Sequence, residues 1–445
     1  MFHKKFNTLS TAAAVGTLAI LAGCNADDVG SSSQEGASAA RFVYTTAQSA
    51  DDTRVITHRV AENGLLAEVS SYSAGAIGGQ SVSGVETDDI LAVVGGYLIV
   101  LNSASHSVSV FSINETSGEL TRVDQNEAVD GVQNIHSGGL NPVSVETFER
   151  GEKTWVLVAN QGVLQVCVNQ GQAQSVVGCE DQNGQLVGEP RSIVQDERNI
   201  RIYQLVEGML VGGKTLQRFA PDIGALAEIS VGPRAEQLAV VTTGIPNAQP
   251  DVSSGYVLPS QGMTYSIVNR ADGFSLADAA DLGFGQVAGT HLVRWGGNGS
   301  ALFFANASLT SNTSHLDLVG VPLLDSESAL RYVAMPAKGY VSAMAVSMDG
   351  DRVYAAENAT GHVYQFAWSD NGFSPVNEPL VASGDVVKSM MLSGGDQTIF
   401  MLTNGQNWQL TSVGVSGDDL SVTGSVALPD SAGTGFRGLA VYPSR

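Results

Sequence analysis

The segment LIVLNSASHSVSVFSINETSGELTRV, residues 98–123, reads as a strand, a polar turn, a second strand, another turn and the start of a third. Val, Phe and Ile alternate with Ser through VSVFSI, the period of two expected of an extended chain. The first element of this segment recurs along the chain. FVYTTA (42–47), VLVANQ (156–161), LAVVTT (238–243), LFFANA (302–307), VYAAEN (353–358) and TIFMLT (398–403) join LIVLNS (98–103) to make seven copies.

Most copies are followed by a second strand, VITHRV, VSVFSI, IRIYQL, MTYSIV, HVYQFA or LTSVGV, and then by a turn and an outer strand such as SGELTRV or DNGFSPV. Asn-Gly and Asp-Gly at several of these turns supply the positive φ that tight hairpins need. The fifth unit is the least regular, with SHLDLVGVPLL in this place. Ahead of six copies stands a further strand: DILAVVG, NPVSVET, GALAEIS, THLVRWG, SAMAVSM and KSMMLSG. The first copy lacks one, whereas RGLAVYP (437–443) has no strand after it. The two mismatched ends fit one another. An all-β, seven-bladed β-propeller of four-stranded blades is therefore expected, closed by the C-terminal strand completing the N-terminal blade; a closed ring leaves only short, protected sheet edges.

The third unit is long. About 35 residues separate VLVANQG from NIRIYQL, predicting an insertion near 163–198 that carries Cys167 and Cys179. In an oxidising compartment two cysteines so close in sequence are expected to pair, closing a loop worth roughly 3 kcal/mol by the chain-entropy estimate. The other reading, a zinc site, lacks further His or Cys ligands nearby in sequence.

The N-terminus predicts export. Lys4 and Lys5 precede a short apolar run that ends in Leu21-Ala22-Gly23-Cys24. The run falls short of the roughly 20 residues a membrane-spanning helix needs, which favours a signal peptide over residues 1–23. The tetrapeptide resembles a bacterial lipobox, which implies lipidation of Cys24. Residues 24–40 then form a flexible tether, and 41–445 the propeller. Asn25 after the cysteine favours the outer over the inner membrane of a bacterial envelope. Three cysteines are present, so lipidation of Cys24 leaves one pair. Hydrophobic residues make up 43% of the chain and charged ones 15%, yet the net charge is −22. Such a surface repels nucleic acid, which is excluded as a partner.

The blade pattern around Asn102–Ile113, followed by Gly-Glu-Leu-Thr-Arg-Val, resembles the lactonase-type seven-bladed propellers, the group of 6-phosphogluconolactonases and carboxymuconate-cyclising enzymes. The resemblance covers residues 41–445. It implies a site built from a His-rich entry to one inner strand, an Arg-His pair entering another, and an Asn-Glu after the following strand. Lactone chemistry needs a cationic clamp for the substrate, a base, and a donor for oxyanion charge. Here the sequence departs from the pattern. His136 lies several residues before its strand, Thr290 stands where Arg is expected before His291, and Asn306-Ala307 replaces Asn-Glu.

His291, Arg294 and Glu357 are therefore the candidate catalytic residues, with Arg294 and Glu357 as substitutes displaced from the matching positions. His136, Lys388 and Arg437 are candidate binding residues, the two cations standing beside inner strands where they could attract an anion. No cofactor and no metal site is expected, and no nucleophile elbow, phosphate loop or dinucleotide fingerprint occurs. The expected protein is an envelope-anchored propeller with degenerate catalytic positions. It would bind an envelope protein, a glycan or a small anionic ligand and hold the membrane through Cys24. A hydrolase of small lactones is the alternative.

Overall fold

The computed structural model describes residues 41–444, apart from 50–51, 77–88, 127, 129–130, 163–165, 170–171, 176–188, 192–197, 221–223, 244, 247–255, 259, 271–272, 283–289, 307–317, 324–329, 337–339, 359, 377, 382–385 and 430–434. The expected signal peptide, Cys24, the tether, Cys179 and the Cys167 side chain lie outside the described residues.

Seven antiparallel sheets form the blades. Their inner strands are Gly435–Tyr442 (blade 1), Leu91–Val94 (blade 2), Pro142–Glu149 (blade 3), Ala225–Val231 (blade 4), Thr290–Trp295 (blade 5), Val341–Val346 (blade 6) and Val386–Leu392 (blade 7). The seven copied segments are the second strands, from Phe42–Gln48 in blade 1 to Thr398–Asn404 in blade 7. Each second strand lies inside its sheet with a neighbouring blade on either face. It therefore has no solvent side, and Phe42–Gln48 and Ala301–Asn306 are buried at every position. β-Branched and aromatic residues suit such a two-sided packing surface. That is why these segments read as near-continuous apolar runs, while the outer strands, such as Asp419–Ala427, alternate toward solvent.

The ring closes as the mismatched ends predict. Gly435–Tyr442 pairs antiparallel with Phe42–Gln48, Tyr442 opposite Phe42 and Gly435 opposite Gln48. Outer-hairpin glycines have the expected left-handed backbone. Gly118 has φ 76°, and a Cβ there would come within 2.4 Å of the Phe42 ring of blade 1.

Two features were not foreseen. Blade 3 has a ten-residue outer strand, Met209–Arg218. Blade 4 carries a small hairpin of its own, Ile245–Pro246 with Tyr256–Leu258. Within the blade 3 insertion, Val166–Asn169 pairs with both Gln172–Ser175 and Glu189–Arg191 in a three-stranded sheet.

Candidate functional site: the central channel

Six of the seven inner strands carry a one-residue bulge near their start. Pairing skips Val143, Ala227, His291, Ser342, Lys388 and Gly438 in blades 3, 4, 5, 6, 7 and 1. A bulge leaves one residue out of the ladder and re-aims the side chains after it. The sequence candidates His291 and Lys388 thus occupy one and the same position of the fold, and Arg437 directly precedes that position in blade 1.

Three residues beyond each bulge the side chain faces the channel. This register gives Glu146, Ser230 and Arg294 in blades 3 to 5, and Ala345, Met391 and Val441 in blades 6, 7 and 1; Ala92 of blade 2 joins them. All seven line one cavity of about 830 Å³, at the end where the inner strands turn into the second strands. The cavity is lopsided: its polar residues come from adjacent blades and its apolar ones from the rest of the ring.

The polar sector is built around Arg294. One carboxylate oxygen of the fully buried Glu228 accepts the main-chain N–H of Val293 at 2.5 Å, and the other is ion-paired with the Arg294 guanidinium. The guanidinium also lies 3.4 Å from Asp89 Oδ1. Asp89 is held at blade 3 because its carbonyl accepts the N–H of Val145 at 2.9 Å, one residue before Glu146. Burial, and after it the Asp89 charge, push the Glu146 carboxyl up to about 8, against the opposing effect of Arg294 and hydrogen bonds from Ser230 and Val231. Two carboxylates and a third carboxyl group of raised pKa therefore surround one guanidinium. Trp295 Nε1 donates to the Ser230 carbonyl at 2.9 Å and ties blade 5 to blade 4 beside them.

The other candidates stand apart from this cluster. His291 is buried at the entry of blade 5, its ring edge-on to Tyr340 at 6.0 Å. Glu357 is opposite Val341 at the entry end of blade 6, accepting from Thr360 Oγ1 at 2.8 Å and from the Tyr364 hydroxyl at 3.4 Å. Arg437 is buried, and its carbonyl accepts the Thr46 hydroxyl at 2.8 Å. His136 is exposed on a short strand added to blade 2, opposite Ser107, and its Nδ1 accepts the N–H of Gly138 at 3.0 Å. The carboxylates that pair with Arg294 are thus Asp89 and Glu228, neither of which sequence reasoning singled out. The signal was present in the copies. GALAEIS and THLVRWG place Glu228 and Arg294 on adjacent inner strands, one and three residues past their bulges, where a buried charge calls for a partner.

Where the lactonase pattern expects Arg and Asn-Glu, Thr290 and Asn306 face one another across the ladder, and the threonine hydroxyl donates to Asn306 Oδ1 at 2.7 Å. Both are buried, and the pair is neutral. Among the described residues, no group of three or more His, Cys, Asp or Glu side chains could hold a metal ion.

No protein-family profile matches the chain, and no curated protein is similar to it in sequence. Its fold is shared with solved structures. A candidate 6-phosphogluconolactonase from Bacteroides uniformis is 11% identical with a TM-score of 0.56, over 89% of this chain and 99% of that one. The periplasmic gluconolactonase of Pseudomonas aeruginosa is 12% identical with a TM-score of 0.55, again over 89% and 99%. A protein of unknown function from Desulfotomaculum acetoxidans is 11% identical with a TM-score of 0.53, over 91% and 100%. At such identities the likeness is one of fold, that of lactonase-like seven-bladed propellers, and one fold hosts many functions.

Proposed function

We propose that the chain is an envelope-anchored propeller that binds a small ligand in the channel cavity and does not hydrolyse lactones. The observation that carries this reading is the state of its charges. The one guanidinium of the polar sector is held by Glu228 and Asp89, so it is not available as a clamp for a carboxylate or phosphate. At the entry of blade 5 the neutral Thr290–Asn306 pair replaces the charged groups that lactone chemistry would use. What remains is a concave chamber, apolar along one side and with a few convergent polar groups on the other, a form that suits a small-molecule site.

The same reading includes lipidation at Cys24 and an envelope location, supported by the lipobox-like Leu21–Cys24 and by the fold shared with a periplasmic enzyme. Cys24→Ala should release the protein from the membrane fraction. The blade 3 insertion, with a sheet of its own, is the surface we assign to an envelope protein or glycan. Lactone hydrolysis is the second reading, supported by the likeness to the Pseudomonas gluconolactonase.

Saturation-transfer NMR of a fragment library tests the cavity directly. Ala92 is half-buried on the channel wall, and Ala92→Trp would fill the chamber. Fragments that bind the wild type and are lost in this variant support the reading. A fragment set that binds both alike would place the site elsewhere.

A further inference from the structure

The cavity has a sign as well as a shape, and this inference rests on the cavity being the ligand site. Its polar sector receives groups from four blades: Asp89 from blade 2, Glu146 from blade 3, Glu228 and Ser230 from blade 4, and Arg294 from blade 5. The single positive charge is already opposed by two ion pairs. At the mouth, Glu149 and Arg234 also line the cavity and offset one another. The floor therefore stays negative whether or not Glu146 carries a proton. Across the channel, Ala345, Met391 and Val441 present a wall without charge, continued by Val346 and Leu392.

We propose that the cavity selects a small organic cation, an ammonium group resting against Asp89 and Glu146 with an apolar body against the wall of blades 6, 7 and 1. An anion entering the same space would give up its hydration to face carboxylates, which costs free energy with no compensating partner. A neutral molecule of the same shape would gain only the apolar contacts. The volume of about 830 Å³ suits a ligand of drug-like size. The protein's net charge of −22 adds a long-range field that concentrates cations at its surface. The expectation of an anionic ligand, drawn from Lys388 and Arg437, is not met in this cavity, which neither residue lines.

Burial of Glu146 makes the selection dependent on protons. Its carboxyl titrates near 8, so a cation arriving at neutral pH should displace the proton. Above that pH the carboxylate is already ionised and the cation binds more tightly.

The test is calorimetric titration of the full-length protein at pH 8.5 with three probes of similar size and shape: benzylammonium, benzyl alcohol and benzoate. The ammonium probe is expected to bind at least tenfold more tightly than the alcohol, with benzoate weakest. Glu146→Gln should reduce that advantage several-fold and leave the alcohol unchanged, with circular dichroism confirming an intact fold. Equal binding of ammonium and alcohol would overturn the cation proposal and leave the cavity as a site for neutral ligands. Tighter binding of benzoate would overturn it in favour of the anion. Binding of none of the three, in a protein whose fragment hits also survive Ala92→Trp, would overturn the cation proposal together with the cavity reading.

Discussion

Glu228 and Arg294 lie on neighbouring inner strands, and the carboxylate that pairs with the guanidinium also accepts the N–H of Val293, the residue just before it. One fully buried side chain thus satisfies a main-chain donor and a charge of the next blade. Breaking a buried pair costs about 3–5 kcal/mol where the remaining charge is left unpaired, and here Asp89 still faces Arg294. Glu228→Ala, which also leaves the Val293 N–H without its acceptor, should lose up to about that much in denaturant unfolding. Glu228→Gln keeps an acceptor for Val293 and should lose clearly less. Equal losses would mean that the charge plays no part.

Blade 5 meets blade 6 at Gly320. A Cβ there would come within 2.3 Å of the Trp368 indole, itself edge-on to Phe303 at 5.0 Å. Overpacking of this kind costs about 1–3 kcal/mol. Gly320→Ala should therefore lower the melting temperature, and Trp368→Leu in the same chain should recover part of the loss. A Gly320→Ala protein that melts like the wild type would show that the two blades do not pack this closely.

Stability should depend on pH through two groups of opposite sense. His58 is fully buried in blade 1, and burial lowers its pKa from the ordinary 6.5 to about 4. The unfolded chain takes up a proton that the folded one refuses, so stability is lost as pH falls from 6.5 toward 4, by on the order of 3 kcal/mol. His58→Phe should flatten this loss. Glu146 is raised instead, so its contribution is present at low pH and is lost as pH rises toward about 8. Glu146→Gln should remove that decline between pH 5 and 8. Unchanged pH profiles in the two variants would contradict these assignments.

The ring depends on its last strand. Residues Gly435–Tyr442 contribute Phe436, Leu439 and Val441 to the core shared with blade 7, and Ala440 and Tyr442 to the core shared with blade 2. Deleting 439–445 should abolish cooperative unfolding, because it exposes two blade faces at once. A truncated chain that melts like the full one would refute closure by this strand.

The blades were legible because their second strands are buried on both sides, which forces apolar runs into the sequence at regular intervals. Closure followed from an inner strand missing at one end and left over at the other. The outer strand of blade 3 escaped because MLVGGKTLQR, half-exposed and with two adjacent glycines, has no clear period of two. The hairpin of blade 4 was too short to leave a pattern. At the site, the sequence offers Arg294 as a substitute for the Arg that the lactonase pattern expects at Thr290, and nothing beside it in sequence points to its acidic partners. Its partners Asp89 and Glu228 stand 205 and 66 positions away and meet it only when the ring closes. His291 and Lys388 were noticed as polar residues at strand starts, and the bulge that gives them a common position has no signature in a single copy.

The most direct test of the account is a pH-stat assay of lactone hydrolysis by the full-length protein, using sugar lactones, phosphorylated lactones and acyl-homoserine lactones, with His291→Ala alongside. With its guanidinium held by Glu228 and Asp89 and a neutral Thr290–Asn306 pair at the entry of blade 5, the protein is expected to show no acid release above the uncatalysed rate on any of them. Turnover that disappears in His291→Ala would contradict the account and make the channel entry an active site.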